Sequence, residues 1–134
     1  MSAAVVSGMP VLIATSDADE LATLRQILEP GAEVFCARTC VEALRWLRTG
    51  RISLVLCAAE LADGNWRFVL RNAQDRPVVV FSRFGDEGLW AEVLNFGAYD
   101  LLLMPFNAEE VRRVTAAALR FGEYSQAPQF PAVL

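Results

Sequence analysis

Five times along this chain a short burst of aliphatic residues gives way to an amphipathic stretch of helical spacing, and that alternation leaves few folds open. Val11-Leu12-Ile13-Ala14 is the first burst. From Asp17 onward Leu21, Leu24, Ile27 and Leu28 recur at helical intervals, until Pro30-Gly31 stops the pattern. Val34-Phe35-Cys36 is the second burst. Thr39 followed by Glu42 has the form of a capping box, in which each side chain satisfies an orphan amide of the other, and Val41, Leu44 and Leu47 then form the expected buried stripe up to Gly50. Leu54 to Cys57 is the third burst, Asp63-Gly64 marks a turn, and Phe68, Val69 and Leu70 suggest a short helix. Pro77 opens the fourth, Val78 to Phe81. Asp86 then caps a helix carrying Leu89, Val93 and Leu94, with Gly97 as its left-handed terminator. Leu101 to Leu103 is the fifth, and Asn107 with Glu110 starts a last helix bearing Val111, Val114, Ala118 and Leu119.

Bursts of this length, apolar without alternation, suit strands covered on both faces, as in a parallel sheet. Each return between parallel strands needs a crossover, and right-handed crossovers place helices on both sides. The expected architecture is α/β: a flavodoxin-like (βα)5 doubly wound parallel sheet in strand order 2-1-3-4-5. Its strands fall near 10–15, 33–37, 53–57, 77–81 and 100–104. An apolar fraction of 54% fits such a core. Residues 1–9 are expected to form a flexible N-terminal segment, 10–121 the domain, and 122–134 a C-terminal tail or linker, because periodicity is lost after Phe121.

Composition removes whole classes of chemistry. There is no His, and all 12 basic residues are Arg. Schiff-base and P-loop chemistry lack their Lys, and Ser-His couples, His metal sites and phosphohistidine lack their imidazole. A net charge of −4 with no basic tail argues against direct nucleic-acid binding. Cys36, Cys40 and Cys57 are odd in number and lack the CxxC spacing of redox or zinc sites, so buried thiols in a reducing cytoplasm are expected. The start of the chain has no leader pattern and no apolar run reaches membrane-spanning length. The expectation is a cytoplasmic protein without a membrane partner, an enzymatic activity, a metal or another cofactor.

From about Pro10 to Arg120 the sequence resembles the receiver domain of bacterial response regulators. Val11 to Asp17 stands where receivers have an apolar strand running into two acids. Glu42-Ala43-Leu44 matches a common second-helix run. Ser53 to Ala58, with Leu61-Ala62-Asp63-Gly64, matches the acceptor strand and its loop. Pro77 to Ser82 matches the fourth strand and its terminal hydroxyl, and Gly97 to Asp100 with Met104-Pro105-Phe106 matches the segment ending in Lys-Pro-Phe. The resemblance implies an aspartyl phosphate on the third strand, two carboxylates that hold Mg2+ with it, and a Lys on the phosphoryl oxygens. Carried over by position, the acid pair becomes Thr15 and Ser16, the acceptor Ala58, and the Lys Met104. Sliding the first loop by one residue makes the pair Ser16 and Asp17 instead; Thr15-Ser16 is preferred because it keeps the four apolar residues in the strand. Ser82 survives as the hydroxyl, Arg83 replaces a small residue after it and is placed to reach over the pocket, and Leu101 replaces the switch aromatic. A cis Met104-Pro105 bond is also implied.

The resulting expectation is a phosphorylation-independent pseudo-receiver, a protein-interaction module in bacterial two-component-type signalling or transcription regulation. Trp90, Leu94 and Leu101 mark the face of helix 4, strand 5 and helix 5, which in receivers meets a protein partner or a second copy. Two rivals stand beside it. A displaced acid, Asp17, Glu60 or Asp63, accepts a phosphoryl group or holds a residual cation; or the crevice at the strand ends senses a small ligand. For the acids the plainer expectation is that Asp17 caps the first helix and the others are solvated. Ser82 and Cys57 are expected to be inert, Trp66 to fill or cap the pocket, and the Arg38, Arg45, Arg48 and Arg51 face to be solvated.

Overall fold

The computed structural model describes residues 8–126, and the expectations for 1–7 and 127–134 lie outside them. β1 (Met9–Ala14), α1 (Ala18–Leu28), β2 (Ala32–Ala37), α2 (Cys40–Arg48), β3 (Leu54–Ala58), α3 (Trp66–Asn72), β4 (Val78–Ser82), α4 (Glu87–Asn95), β5 (Asp100–Leu103) and α5 (Ala108–Gln126) alternate as the sequence pattern predicts. The strands form one parallel sheet in order β2-β1-β3-β4-β5, the doubly wound, flavodoxin-like arrangement. A two-residue hairpin, Glu60–Leu61 against Gly64–Asn65, is inserted between β3 and α3.

Register fixes which residues reach the strand ends together. Val11 lies beside Val34 on one side and Leu54 on the other, and Ala58 lies beside Phe81. In β1, β3 and β4 the apolar residues are sealed on both faces: Leu12, Ile13, Leu54, Val55, Leu56, Val79 and Val80 have no exposure. Each such side chain stabilises the fold by roughly 1.5–3 kcal/mol in transfer free energy. α1 packs against α5, and α2 against α3. Val111, Val114, Ala118 and Leu119 form the buried stripe of α5 as expected.

Asp17, Asp86 and Asn107 act as caps. They accept, respectively, from the amides of Asp19 and Glu20, of Leu89, and of Glu110. Gly97 ends α4 at φ +99°, a backbone that side chains with a Cβ resist. Met104-Pro105 is cis.

Four local expectations are corrected. Val41 is half exposed; the buried stripe of α2 is Cys40, Ala43 and Leu47, because the helix begins at Cys40 and turns that face to the sheet. Thr39 Oγ1 accepts from the Glu42 amide, but the Glu42 carboxylate accepts from the amide of Arg38, one residue before the cap. The first strand begins at Met9, and Gly8 already donates to the Gly31 carbonyl, so the ordered domain starts before residue 10. α5 continues past Phe121 to Gln126. Gly122 permits that continuation, since a Cβ there would lie 2.9 Å from Cδ of Pro77.

Candidate functional site

A cavity of about 390 Å³ opens at the C-terminal ends of β1, β3 and β4, walled by Thr15, Asp17, Glu20, Ala58, Ser82 and Arg83. The receiver resemblance implies that Thr15, Ser16, Asp17, Ala58, Ser82 and Arg83 share one place, and all six line this cavity. Met104 does not. It follows β5, with its amide on the Ser82 carbonyl and its side chain packed against the core.

Ala58 is buried at the tip of β3 and offers no functional group. The three hydroxyls nearby are all committed. Thr15, itself buried, donates to Oε1 of Glu20 at 2.7 Å and accepts from the Asp17 amide. Ser16 donates to the Arg38 carbonyl at 2.6 Å and accepts from the Ala62 amide, tying the β2–α2 loop to the hairpin. Ser82 accepts from the amide of Phe84 and donates to its carbonyl. Ser16 and Ser82 donate only to backbone carbonyls and so have no base to activate them, while Thr15 alone donates to a carboxylate, that of Glu20.

Three of the four charged residues lining the cavity form a triad that sequence reasoning saw only in part. Arg83 Nη2 stands 3.3 Å from Oδ2 of Asp17, and its Nε stands 3.4 Å from Oε2 of Glu20. One guanidinium thus spans two carboxylates on the first turn of α1. Glu20, whose side chain is only 10% exposed, was missed. Its signal is the Asp17-x-x-Glu20 spacing, which places an acid one turn after a cap. The Glu20 amide foremost, helped by that of Asp19 and by Arg83, holds the Asp17 carboxyl below its ordinary value.

The other acids do not gather around this triad. Asp63 turns away to the start of α2, where its two oxygens accept from the amides of Cys40 at 2.6 Å and Val41 at 3.2 Å. Those bonds, Cys40 first, lower its pKa. Asp63 is exposed, as expected of a loop acid, and is in addition a cap supplied to α2 from a distant loop. Glu60 lines the cavity on the hairpin. Among the described residues no group of three or more His, Cys, Asp or Glu is arranged to hold a metal ion. The Cys57 thiol is fully buried, which pushes its pKa up; Cys40 is raised to about 11, by burial first and then by the Asp63 charge. Neither supplies a thiolate near neutrality.

Trp66 neither fills nor caps the cavity. It is buried between α3 and α4, edge-on to Phe96. The Arg67 guanidinium lies over both rings, 5.3 Å from Trp66 and 5.5 Å from Phe96, and pairs with Glu92 of α4. Of the Arg face, Arg51 pairs with Glu33 and covers Phe35, and Arg38 reaches the Ser16 carbonyl, so these two are more than solvated charge.

On the α4–β5 side, Trp90 is 50% exposed, Leu94 36% and Leu103 46%. Leu101, expected on this surface, is buried; it floors a groove whose walls include Trp90, Leu103 and Gly85. Leu101 and Leu103 share one face of β5, and of the two only Leu103, at the end of the strand, is exposed.

Comparison with known proteins decides what this arrangement is built on. No protein-family model matches the sequence, and no curated protein does. Solved structures match over nearly the whole described chain. A two-component response regulator from Clostridium difficile is 27% identical with a TM-score of 0.77, covering 84% of this chain and 96% of its own. A CheY-like receiver domain protein from Methanospirillum hungatei JF-1 is 24% identical at TM-score 0.79, covering 88% and 98%. CheY from Borrelia burgdorferi, in a complex with CheX, BeF3 and Mg2+, is 20% identical at 0.76, covering 83% and 89%. The fold is that of a response-regulator receiver domain. Its structural neighbours are receivers of two-component signalling. Among the described residues no helix is long and apolar enough to cross a membrane.

Proposed function

We propose that this chain is a phosphorylation-independent receiver module that signals by contact with a protein partner or a second copy, and is not an enzyme. The observation that carries the reading is Ala58. The tip of β3, where the receiver resemblance calls for a phosphoacceptor, ends in a buried methyl group.

The rest of the cavity supports it. Mg2+ takes near-octahedral oxygen ligands, usually including carboxylates. At Thr15, Ser16 and Ala58 there is no carboxylate, the two hydroxyls are already bonded, and Asp17 and Glu20 hold a guanidinium. The residues present do not fit the ion. With Met104 just after β5, where the receiver resemblance calls for a Lys, that position has no cation to meet phosphoryl oxygens. Asp17 and Asp63 are engaged as helix caps, which weakens the reading of either as a displaced acceptor.

What remains to act is surface. Trp90, Leu94 and Leu103 expose apolar area beside the groove over Leu101, and large aromatics dominate binding energy at interfaces. A Borrelia protein of this fold forms a complex with CheX. The test is association measured with and without acetyl phosphate and Mg2+, alongside intact mass. Unchanged association and no added phosphoryl mass are expected, and also in the Ala58→Asp/Met104→Lys double variant, which still lacks the acid pair. Phosphate-dependent association in either protein overturns the proposal.

A further inference from the structure

We infer that Arg83 is an intramolecular cation latch: its guanidinium takes the place of a bound ion, pins the β4–α4 loop to the first turn of α1, and so holds α4 in one arrangement without any ligand. The inference rests on the phosphorylation-independent reading and deepens it by naming what sets the state of the domain.

Three observations carry it. First, the guanidinium bridges two elements far apart in sequence, with Nη2 on Asp17 and Nε on Glu20, through separate nitrogens. A planar fork engaging two carboxylates fixes direction as well as distance, which an ammonium does not. Second, the two halves of the bridge differ in environment. The Asp17 side chain is 41% exposed and also hydrogen-bonded to Arg83, whereas the Glu20 side chain is 10% exposed; Arg83 itself is 55% exposed, so both contacts are partly screened. Glu20 is itself fixed by the buried Thr15 hydroxyl at 2.7 Å, so the latch closes on a rigid post. Third, the loop that Arg83 pins leads straight into α4. Ser82 holds the Phe84 amide, and Asp86, three residues after Arg83, caps α4 through the amide of Leu89. At its other end α4 is tied to α3 by the Arg67 stack on Trp66 and Phe96 and by the Arg67–Glu92 pair. Both ends of α4, which bears Trp90, are held by guanidinium groups of this chain.

The test is amide hydrogen exchange at Phe84, Leu89 and Trp90 in the full chain, comparing wild type, Arg83→Ala, Glu20→Gln and the double variant, with and without Mg2+. Arg83→Ala is expected to speed exchange at these amides roughly two- to fivefold, the range of a partly exposed ion pair, with Glu20→Gln giving part of the same effect and the double variant no more than Arg83→Ala alone. Glu20→Gln keeps shape and loses only charge, so it carries the test if Arg83→Ala does not fold. Unchanged exchange, strictly additive single effects, or saturable Mg2+ stabilisation of the wild type overturns the latch. The interface reading fails separately, through association assays on Trp90, so the two outcomes are distinguishable.

Discussion

Trp90→Ala tests whether the exposed face of α4 is an interface. Half of the side chain is exposed in the monomer. A tryptophan carries up to about 250 Å² of surface, so roughly 120 Å² remains for a partner to cover. At about 25 cal/mol per Å² this is worth about 3 kcal/mol. Ordering the side chain costs about 0.5–1.5 kcal/mol, leaving a net of about 2 kcal/mol per copy, or roughly 30-fold in Kd. In a two-fold dimer both copies lose it, and the effect is about doubled. The inner half of the ring also packs on the domain, so folding stability should drop by about 1–2 kcal/mol while far-UV circular dichroism stays unchanged. Sedimentation velocity over a concentration series reads self-association, and titration calorimetry reads a captured partner. If Trp90→Ala leaves every association constant within twofold of wild type, the exposed half of the ring is not an interface anchor and the argument from surface fails.

Two further outcomes follow from single side chains. Thr115 is fully buried on α5 with its hydroxyl unpartnered among the described residues, so Thr115→Val, which keeps the shape, should stabilise the domain by about 1 kcal/mol in urea titration; a loss of stability would mean that the hydroxyl has a partner. Asp63 has a folded pKa below its unfolded one, so its contribution is present above the unfolded value, near pH 4, and is lost as pH falls through the lower folded value. Asp63→Asn should therefore destabilise the domain at neutral pH and flatten the fall in stability below about pH 4; an acid limb identical to wild type in denaturant midpoints would refute the capping role.

How much was legible depended on the range of the interaction. The five strands and the caps at Asp17, Asp86 and Asn107 rest on local pattern: apolar runs, and a polar residue just before a helical stripe; the strand order rests instead on the doubly wound topology. The local signals lie within a few residues of one another, so a linear reading finds them. Val41 was misread because two stripes of α2 have similar spacing, and only the sheet decides which one is buried.

Sequence by itself determined the framework and what the cavity lacks. A chain with no His and no Lys, with Ala58 at the end of its third strand, cannot supply those groups however it folds. Tertiary structure alone decided what the remaining groups do. Glu20 became the buried post for Arg83, Asp63 crossed to cap α2, Trp66 moved from the cavity to the α3–α4 seam, and Leu101 sank beneath the groove that Trp90 and Leu103 border. The physical reason is the same in each case. A charge or a ring takes its role from the partner it meets and the solvent it loses, and both are set by segments distant along the chain and adjacent only after the sheet has formed.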